Sequence, residues 1–211
     1  MFGIVNYGVY ITSSIILALI PGTDTIFILG QSISNSKKSG RFSAFGICAG
    51  LLVHTFLSAF GLSLILKNSI TAFNLVKFMG AMYLIYMGIK NIRSKENLLV
   101  SKGKIKRENL RKDFFQGMLT NVLNPKVALF FLAFLPQFID NSNEYGAIPF
   151  ILLGLTSFVI SSIWYVSLSN FASFIAKFLK KNENFGRYVN KVSGSIFIIL
   201  GLNLIRAKIN D

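Results

Sequence analysis

The stretch IVNYGVYITSSIILALIPGTDTIFIL, residues Ile4–Leu29, is an apolar run that is interrupted at Pro21-Gly22-Thr23-Asp24. A helix needs about 20 apolar residues to cross the hydrocarbon core of a bilayer, so this run predicts a membrane span. Of the eight acids in the chain, Asp24 is the one that falls inside such a run. A carboxylate at the centre of a membrane helix costs roughly 2.5–3.5 kcal/mol on insertion scales, and acids placed there mostly handle ions, protons or substrates. Asp24 is therefore the first candidate for a functional residue.

The rest of the chain has the same apolar character. Hydrophobic residues make up 53% of its 211 residues, and charged residues make up 14%. This composition, with six apolar windows, predicts an all-α membrane protein with six transmembrane helices. The windows are Ile4–Leu29, Phe42–Leu66, Ile70–Ile89, Phe114–Phe138, Ala147–Ile175 and Val189–Ile205. No basic residue precedes the first window, so we interpret it as a retained span rather than a secretory signal.

The net charge of +14 is distributed unevenly along the chain. Seventeen basic residues lie in the turn after the first window, in the linker after the third and in the turn after the fifth, whereas Lys67, Lys77, Arg206 and Lys208 lie toward the opposite side. Cytoplasmic loops carry the excess of Lys and Arg, so both termini are predicted to face outward and the linker at about 93–113 to be cytoplasmic. We expect these basic loops to contact anionic lipid, not nucleic acid, because a nucleic-acid site needs a folded reader beside its basic patch.

The two halves of the chain resemble each other. The run that begins at Pro21 precedes a similar run at Pro125 by 104 positions. Each half has three predicted spans, an odd number, so the predicted repeats at about 1–92 and 114–211 must be inverted relative to each other in the membrane. Inverted repeats with interrupted helices are typical of secondary transporters, whose substrate sites lie at the interruptions near the bilayer midplane.

The first interruption combines two residues that break helices. Pro21 lacks a backbone N–H and should free carbonyls near Leu17 and Ala18, and Gly22 lets the backbone bend further. A second half-helix is then predicted to begin at about Thr23. Its first turn would hold the acid at position 24, close to the positive end of the helix dipole.

The second interruption, Asn124-Pro125-Lys126, repeats this arrangement. Asn suits an N-cap and Pro suits the first position of a helix. Lys126 lies deep in an apolar window, as Asp24 does, and we expect the two opposite charges to pair across the interface of the repeats. Ordinary proline kinks are an alternative explanation, because membrane helices tolerate them. Two kinks at matched positions, each beside a buried charge, favour a binding site.

His54 is the only histidine, and it follows Gly46 and Gly50 at intervals of four residues. Small residues at this spacing let another helix approach closely, so His54 should point into a helix interface. It could form a structural hydrogen bond there or take part in proton transfer. One His, one Asp and the single Cys48 are too few ligands for a metal site, and we predict no metal and no cofactor.

These residues match a known family. The chain resembles the lysine exporter superfamily, in particular its homoserine/threonine resistance branch, the LysE/RhtB-like translocators. The resemblance is carried by residues 21–24, 46–54 and 77–88 and by GMLTNVLNPKVALFFLAFLPQF at 117–138. It implies export of amino acids or their derivatives across the bacterial cytoplasmic membrane, driven by the proton gradient. The chain departs from the family at Thr23, where the family reads a second proline, and this departure loosens the break.

We therefore expect a proton-coupled secondary exporter of a small zwitterion. Asp24 would bind the ammonium of the substrate, and Lys126 with the half-helix start at Asn124 would bind its carboxylate. A small-cation or metal-ion exporter is one alternative, but it should show more ionisable residues in its helices. A membrane-embedded enzyme is another, and it would need a nucleophile beside a base. The stripe of Gly46 and Gly50 could also join copies of the chain in a homo-oligomer.

Overall fold

The computed structural model describes residues 2–64, 69–94, 109–140, 143–181 and 183–206. Eight helices, numbered α1 to α8 in chain order, make up most of these ranges. The only β pairing within them is an isolated antiparallel bridge between Ile4 and Ile139. The predicted all-α fold is confirmed. Most of the predicted linker at 93–113 lies outside the described residues.

The first predicted span is a broken helix. α1 covers Tyr7–Leu19 and α2 covers Thr23–Ser34, and the two are bent by 48°. The last backbone bond of α1 runs from Ile20 N to Ile16 O at 3.0 Å. The next residue, Pro21, has no N–H to continue the ladder, and Gly22 is extended with φ −155. The break therefore falls where the sequence predicts it.

The fourth predicted span is broken in the same way. α5 covers Leu110–Val122 and α6 covers Pro125–Leu129, which continues as a π-helical turn and a 3-10 turn to Phe138. The bend between α5 and the helical segment from Pro125 to Phe138 is 49°, close to the bend of the first span. Asn124 Oδ1 accepts a 3.0 Å hydrogen bond from Lys126 N, and proline takes the first helical position. Both predicted roles at this helix start are confirmed.

The remaining four helices are continuous. α3 covers Lys37–Leu57 and continues as a π-helical turn to Leu62, α4 covers Ile70–Arg93, α7 covers Ile148–Lys181 and α8 covers Glu183–Arg206. Each of these four is long and apolar enough to cross a membrane, and the count reaches six when each bent pair is taken as one span. The predicted windows therefore match the spans in number and order, although several helices run beyond them.

Glycines bring α3 and α5 into close contact. A methyl group added at Gly46 would overlap the backbone oxygen of Phe114, and one added at Gly117 would overlap the backbone oxygen of Ser43. A Cβ atom added at Gly50 would lie 2.7 Å from the Cβ of Asn121. The stripe at Gly46 and Gly50 therefore serves a contact between the two halves of one chain, as small-residue stripes in membrane helices commonly do.

The last helices of the two halves, α4 in the first and α8 in the second, also meet through glycine. A Cβ atom at Gly88 of α4 would lie 2.6 Å from Gly194 O, and one at Gly194 of α8 would lie 2.5 Å from Gly88 O. The other faces of these helices expose large apolar side chains such as Leu75, Met79 and Ile199. Exposed apolar surface of this extent fits contact with lipid.

Aromatic side chains fill the bundle near its N-terminal end. The Tyr10 ring lies 5.8 Å from the Phe130 ring and 5.2 Å from the Phe138 ring, and Phe134 is 5.3 Å from Phe130 between centroids. These residues belong to one buried apolar cluster, which also includes Phe150. The cluster separates the two helix breaks from the end of the bundle where the chain starts.

Candidate functional site

Asp24 lies in the first turn of α2 and is fully buried. Its Oδ2 accepts a 2.8 Å hydrogen bond from Asn121 Nδ2 and a longer one, 3.4 Å, from the Tyr165 hydroxyl. Its other oxygen, Oδ1, has no hydrogen-bond partner within the described part of the chain. The positive end of the α2 dipole favours a carboxylate at this position. One carboxylate oxygen at the break is thus left available to a further donor.

Lys126 lies in the first turn of α6, with 3% of its surface exposed. Its ammonium donates hydrogen bonds to Leu17 O at 3.2 Å and to Ile20 O at 3.0 Å. These carbonyls are two of the four, at residues 17–20, that the break in the first span leaves without a helical donor. The sequence predicts freed carbonyls near Leu17 and Ala18, and the structure confirms Leu17 but gives Ile20 as the second acceptor.

The predicted direct pair between Asp24 and Lys126 is not formed in this conformation. The carboxylate binds Asn121 and Tyr165, whereas the ammonium binds backbone carbonyls. The two charges still attract each other electrostatically. The difference arises because the unbonded carbonyls at the negative end of α1 lie within reach of the ammonium and accept its hydrogen bonds in place of the carboxylate.

His54 lies in α3 and is buried. Its Nε2 is 3.2 Å from Asn121 O, and its ring stacks on Phe131 with 5.6 Å between centroids. Asn121 O also accepts a 2.9 Å bond from Asn124 N, so this carbonyl at the end of α5 has two partners. The position of His54 at the second break matches that of Lys126 at the first, since each contacts a carbonyl at the end of a half-helix.

The other predicted residues lie at the two helix breaks, and all but Thr23 and Pro125 are buried or partly buried. Gly22 is packed against the lysine, because a Cβ atom added there would lie 3.4 Å from Lys126 Nζ. Asn124 is 3% exposed, and its Nδ2 has no partner among the described residues. Pro125 begins α6, and Pro21 and Gly22 separate α1 from α2. Thr23 begins α2, but its side chain is exposed, so it does not line the site.

A small cavity lies beside Lys126 between α1 and α7. About 20 Å³ of it is wide enough for water. Its residues are Ser14, Leu17, Ala18, Leu51, Lys126, Val127, Phe130, Phe131, Ser157, Ser161 and Tyr165. This volume holds about one water molecule. The lining combines the hydroxyl groups of Ser14, Ser157, Ser161 and Tyr165 with aromatic and aliphatic side chains.

Hydroxyl groups close the cavity toward the N-terminal end of the bundle. Tyr10 Oη donates to Leu153 O at 2.9 Å and lies 2.7 Å from Ser157 Oγ. Ser157 Oγ is in turn 3.2 Å from Ser14 Oγ. These bonds join α1 to α7, beneath the aromatic cluster. The cavity is therefore closed on this side by hydrogen bonds in this conformation.

Two contacts of Asp24 come from residues that the sequence reasoning did not select. Asn121 is a polar residue in an apolar window, three positions before the N-cap of the second break, and that position could have indicated a role. Tyr165 is one of seven tyrosines in the chain and lies in a helix that holds several other hydroxyl residues, so nothing local distinguishes it. Among the described residues, no three His, Cys, Asp or Glu side chains are grouped closely enough to hold a metal ion.

Comparison with known proteins shows two kinds of similarity. The family described as LysE type translocator matches residues 15–208 of the chain, a range that includes both helix breaks. The uncharacterized membrane protein YrhP of Bacillus subtilis (strain 168) is 28% identical over 201 residues, which cover 92% of this chain and 95% of that protein.

Two further relatives are leucine efflux proteins. The leucine efflux protein of Salmonella typhimurium is 28% identical over 200 residues, with 93% of each chain covered. The leucine efflux protein of Klebsiella pneumoniae is 28% identical over 197 residues, again with 93% of each chain covered. No solved structure matches the chain.

Proposed function

Because the chain belongs to the LysE type translocator family, we propose that it exports a small amino acid with an apolar side chain in exchange for protons. The protein is a multi-pass protein of the bacterial cytoplasmic membrane, and it is a transporter, not an enzyme. The direction of transport, the substrate class and the coupling ion are the parts that we propose. They follow from the chemistry of the two helix breaks.

The observation that carries the proposal is the free oxygen of the buried Asp24 carboxylate. A buried carboxylate with one unbonded oxygen is a strong acceptor for an ammonium, because few other groups there can satisfy it. The substrate ammonium would bind this oxygen. The N-terminus of α6 and the Lys126 ammonium, on the facing break, would bind the substrate carboxylate.

The lining of the cavity supports an apolar side chain on the substrate. Leu51, Phe130 and Phe131 are among its apolar residues, beside Lys126. A second ammonium, as in lysine, would find no acid among the lining residues. The leucine efflux proteins among the relatives support the same substrate class.

Proton coupling is proposed for Asp24 because a single carboxylate cannot bind a proton and a substrate ammonium at the same time. Release of substrate outward would leave the carboxylate free to take a proton, and return of that proton to the cytoplasm would prepare it for the next substrate. The groups that face Asp24 during this exchange are Asn121, Tyr165 and Lys126, with His54 and Cys48 nearby on α3.

Purified protein in lipid vesicles tests the proposal. Vesicles made acidic inside should accumulate labelled leucine above its external concentration, and a protonophore should release it. Labelled lysine should accumulate far less. Leucine exchange at a rate independent of the pH gradient would contradict the proposed proton coupling but would still support leucine transport. A lack of flux for leucine and for other apolar amino acids would contradict the proposed substrate class.

A further inference from the structure

The ammonium of Lys126 lies in a cradle of backbone oxygens at the end of α1. Leu17 O and Ile20 O accept its hydrogen bonds at 3.2 and 3.0 Å, both within the usual range for N–H···O bonds. The end of a helix carries partial negative charge from such unbonded carbonyls. Lys126 therefore acts here as a cation bound by main-chain oxygens.

The cradle exists because of the residues that follow it. The amide that would bond Leu17 O in a continuous helix belongs to position 21, which is proline and has no N–H. The extended backbone at Gly22 turns the chain away before α2 begins. The missing side chain of Gly22 also makes room, since an added Cβ atom would lie 3.4 Å from Nζ and 3.6 Å from Cε.

Unwound carbonyls and half-helix ends bind coupling cations in other transporter architectures. We propose that Leu17 O and Ile20 O form a monovalent-cation site, which Lys126 occupies as a tethered ammonium in place of an ion from solution. The nearby Asp24 carboxylate adds electrostatic attraction for any cation at this position. The two carbonyls belong to the first half of the chain and Lys126 belongs to the second, so the lysine joins the two halves.

The alternative is a lysine that only caps a helix end through its own packing, as basic side chains commonly do. The two accounts differ in whether a free cation can replace the lysine. A true cation site, once emptied, should bind a small cation from solution. A packing role should not respond to one.

Three variants separate these accounts by thermal unfolding of the purified protein in detergent. Lys126→Ala empties the cradle and leaves room for a small cation, whereas Lys126→Met removes the charge but fills the space with a straight side chain of similar length. Lys90→Ala removes an exposed lysine on α4 and serves as the control. The salts are methylammonium, sodium and tetramethylammonium chloride at equal ionic strength, the last having no N–H donors.

We expect Lys126→Ala to unfold at a lower temperature than the wild type and to regain stability in methylammonium. Because binding to the folded state stabilises it, the rise in Tm should saturate with concentration. Sodium should act similarly or more weakly, and tetramethylammonium should not act. The wild type, Lys126→Met and Lys90→Ala should show no specific response, since their cradles are filled by a side chain.

An equal response of Lys126→Ala to tetramethylammonium, or no response to any salt, would overturn the cation site. A specific response of the wild type would also overturn it, because the occupied cradle would then not be the binding position. If Lys126→Ala can be purified only with methylammonium or sodium present, the site is supported; failure to fold in every salt counts against it. Unfolding does not depend on leucine transport, so this test stands apart from the proposed function.

Discussion

Asn121 donates a 2.8 Å hydrogen bond from its Nδ2 to Asp24 Oδ2, and this bond joins the two helix breaks. Asp24 lies in the first turn after one break, and Asn121 lies in the last turn before the other. The backbone oxygen of Asn121 contacts His54 at the same time. We therefore expect a change in the hydrogen bonding of the carboxylate to act directly on the end of α5.

Asp24→Asn should abolish accumulation of leucine driven by a pH gradient in lipid vesicles. The introduced amide still offers an oxygen to Asn121, so the protein should fold, but it cannot bind a proton in exchange for substrate. Downhill exchange of leucine should persist at a reduced rate, because an amide oxygen keeps a polar contact for the ammonium. Glu144→Gln, an exposed change in the loop before α7, is the control and should behave as wild type. Undiminished gradient-driven transport by Asp24→Asn would show that a residue other than Asp24 couples transport to protons.

His54→Gln should retain gradient-driven transport, whereas His54→Leu should reduce both stability and transport. Glutamine keeps an N–H donor for Asn121 O, and leucine leaves that carbonyl without its side-chain partner. Hydrogen bonds between membrane helices contribute about 0.6 kcal/mol on average and up to about 1.7 kcal/mol. The loss of stability in the His54→Leu variant should therefore be modest. Thermal unfolding and vesicle assays measure the two effects. Loss of coupling with intact exchange in His54→Gln would instead give the histidine a role in proton transfer.

Gly117→Ala should destabilise the protein by about 1–3 kcal/mol or more, because an added methyl group cannot be accommodated without strain. Its Cβ atom would overlap the backbone oxygen of Ser43, so α3 and α5 would have to separate. Gly8→Ala in α1 is the matched control, since nothing lies within 4 Å of a Cβ atom there. That change should be neutral or stabilise by about 0.5–1 kcal/mol through helix propensity. Equal unfolding temperatures for both variants would show that the α3–α5 contact tolerates a wider spacing.

Labelling with a membrane-impermeant thiol reagent should detect the orientation of the bundle. The distribution of basic residues predicts that Glu144 faces outward and Lys38 faces the cytoplasm. In a background in which the buried Cys48 is replaced by alanine, Glu144→Cys should react in intact cells, and Lys38→Cys should react only after the membrane is permeabilised. The reverse pattern would invert the topology and reverse the proposed direction of transport.

Local sequence was enough to predict the breaks, because their cause is local. Proline removes a donor wherever it lies inside a helix, and an asparagine such as Asn124 can cap a helix start with its side-chain oxygen. The same argument located Asp24, Lys126 and His54 as buried polar groups in apolar windows. Their roles in binding and coupling stay predictions, because no contact in the protein alone tests them.

The partners of these groups could not be predicted in the same way. Lys126 has several acceptors within reach, and the choice of Leu17 O and Ile20 O over Asp24 depends on how two half-helices from different parts of the chain approach. Tyr165 reaches Asp24 from a helix that begins more than a hundred residues later. Such distances follow from the packing of whole helices, and a periodic apolar pattern does not specify them.

The length of α7 has a consequence for the surroundings of the protein. Its 34 residues would extend about 51 Å at a rise of 1.5 Å per residue, compared with about 30 Å for the hydrocarbon core. Its apolar part ends at Ile175, and the exposed Lys177 follows it. The helix that carries Tyr165 to Asp24 is thus long enough to reach the phospholipid headgroups. Bilayer thickness and headgroup charge would then act on its tilt, and we expect lipid composition to influence the geometry around the carboxylate.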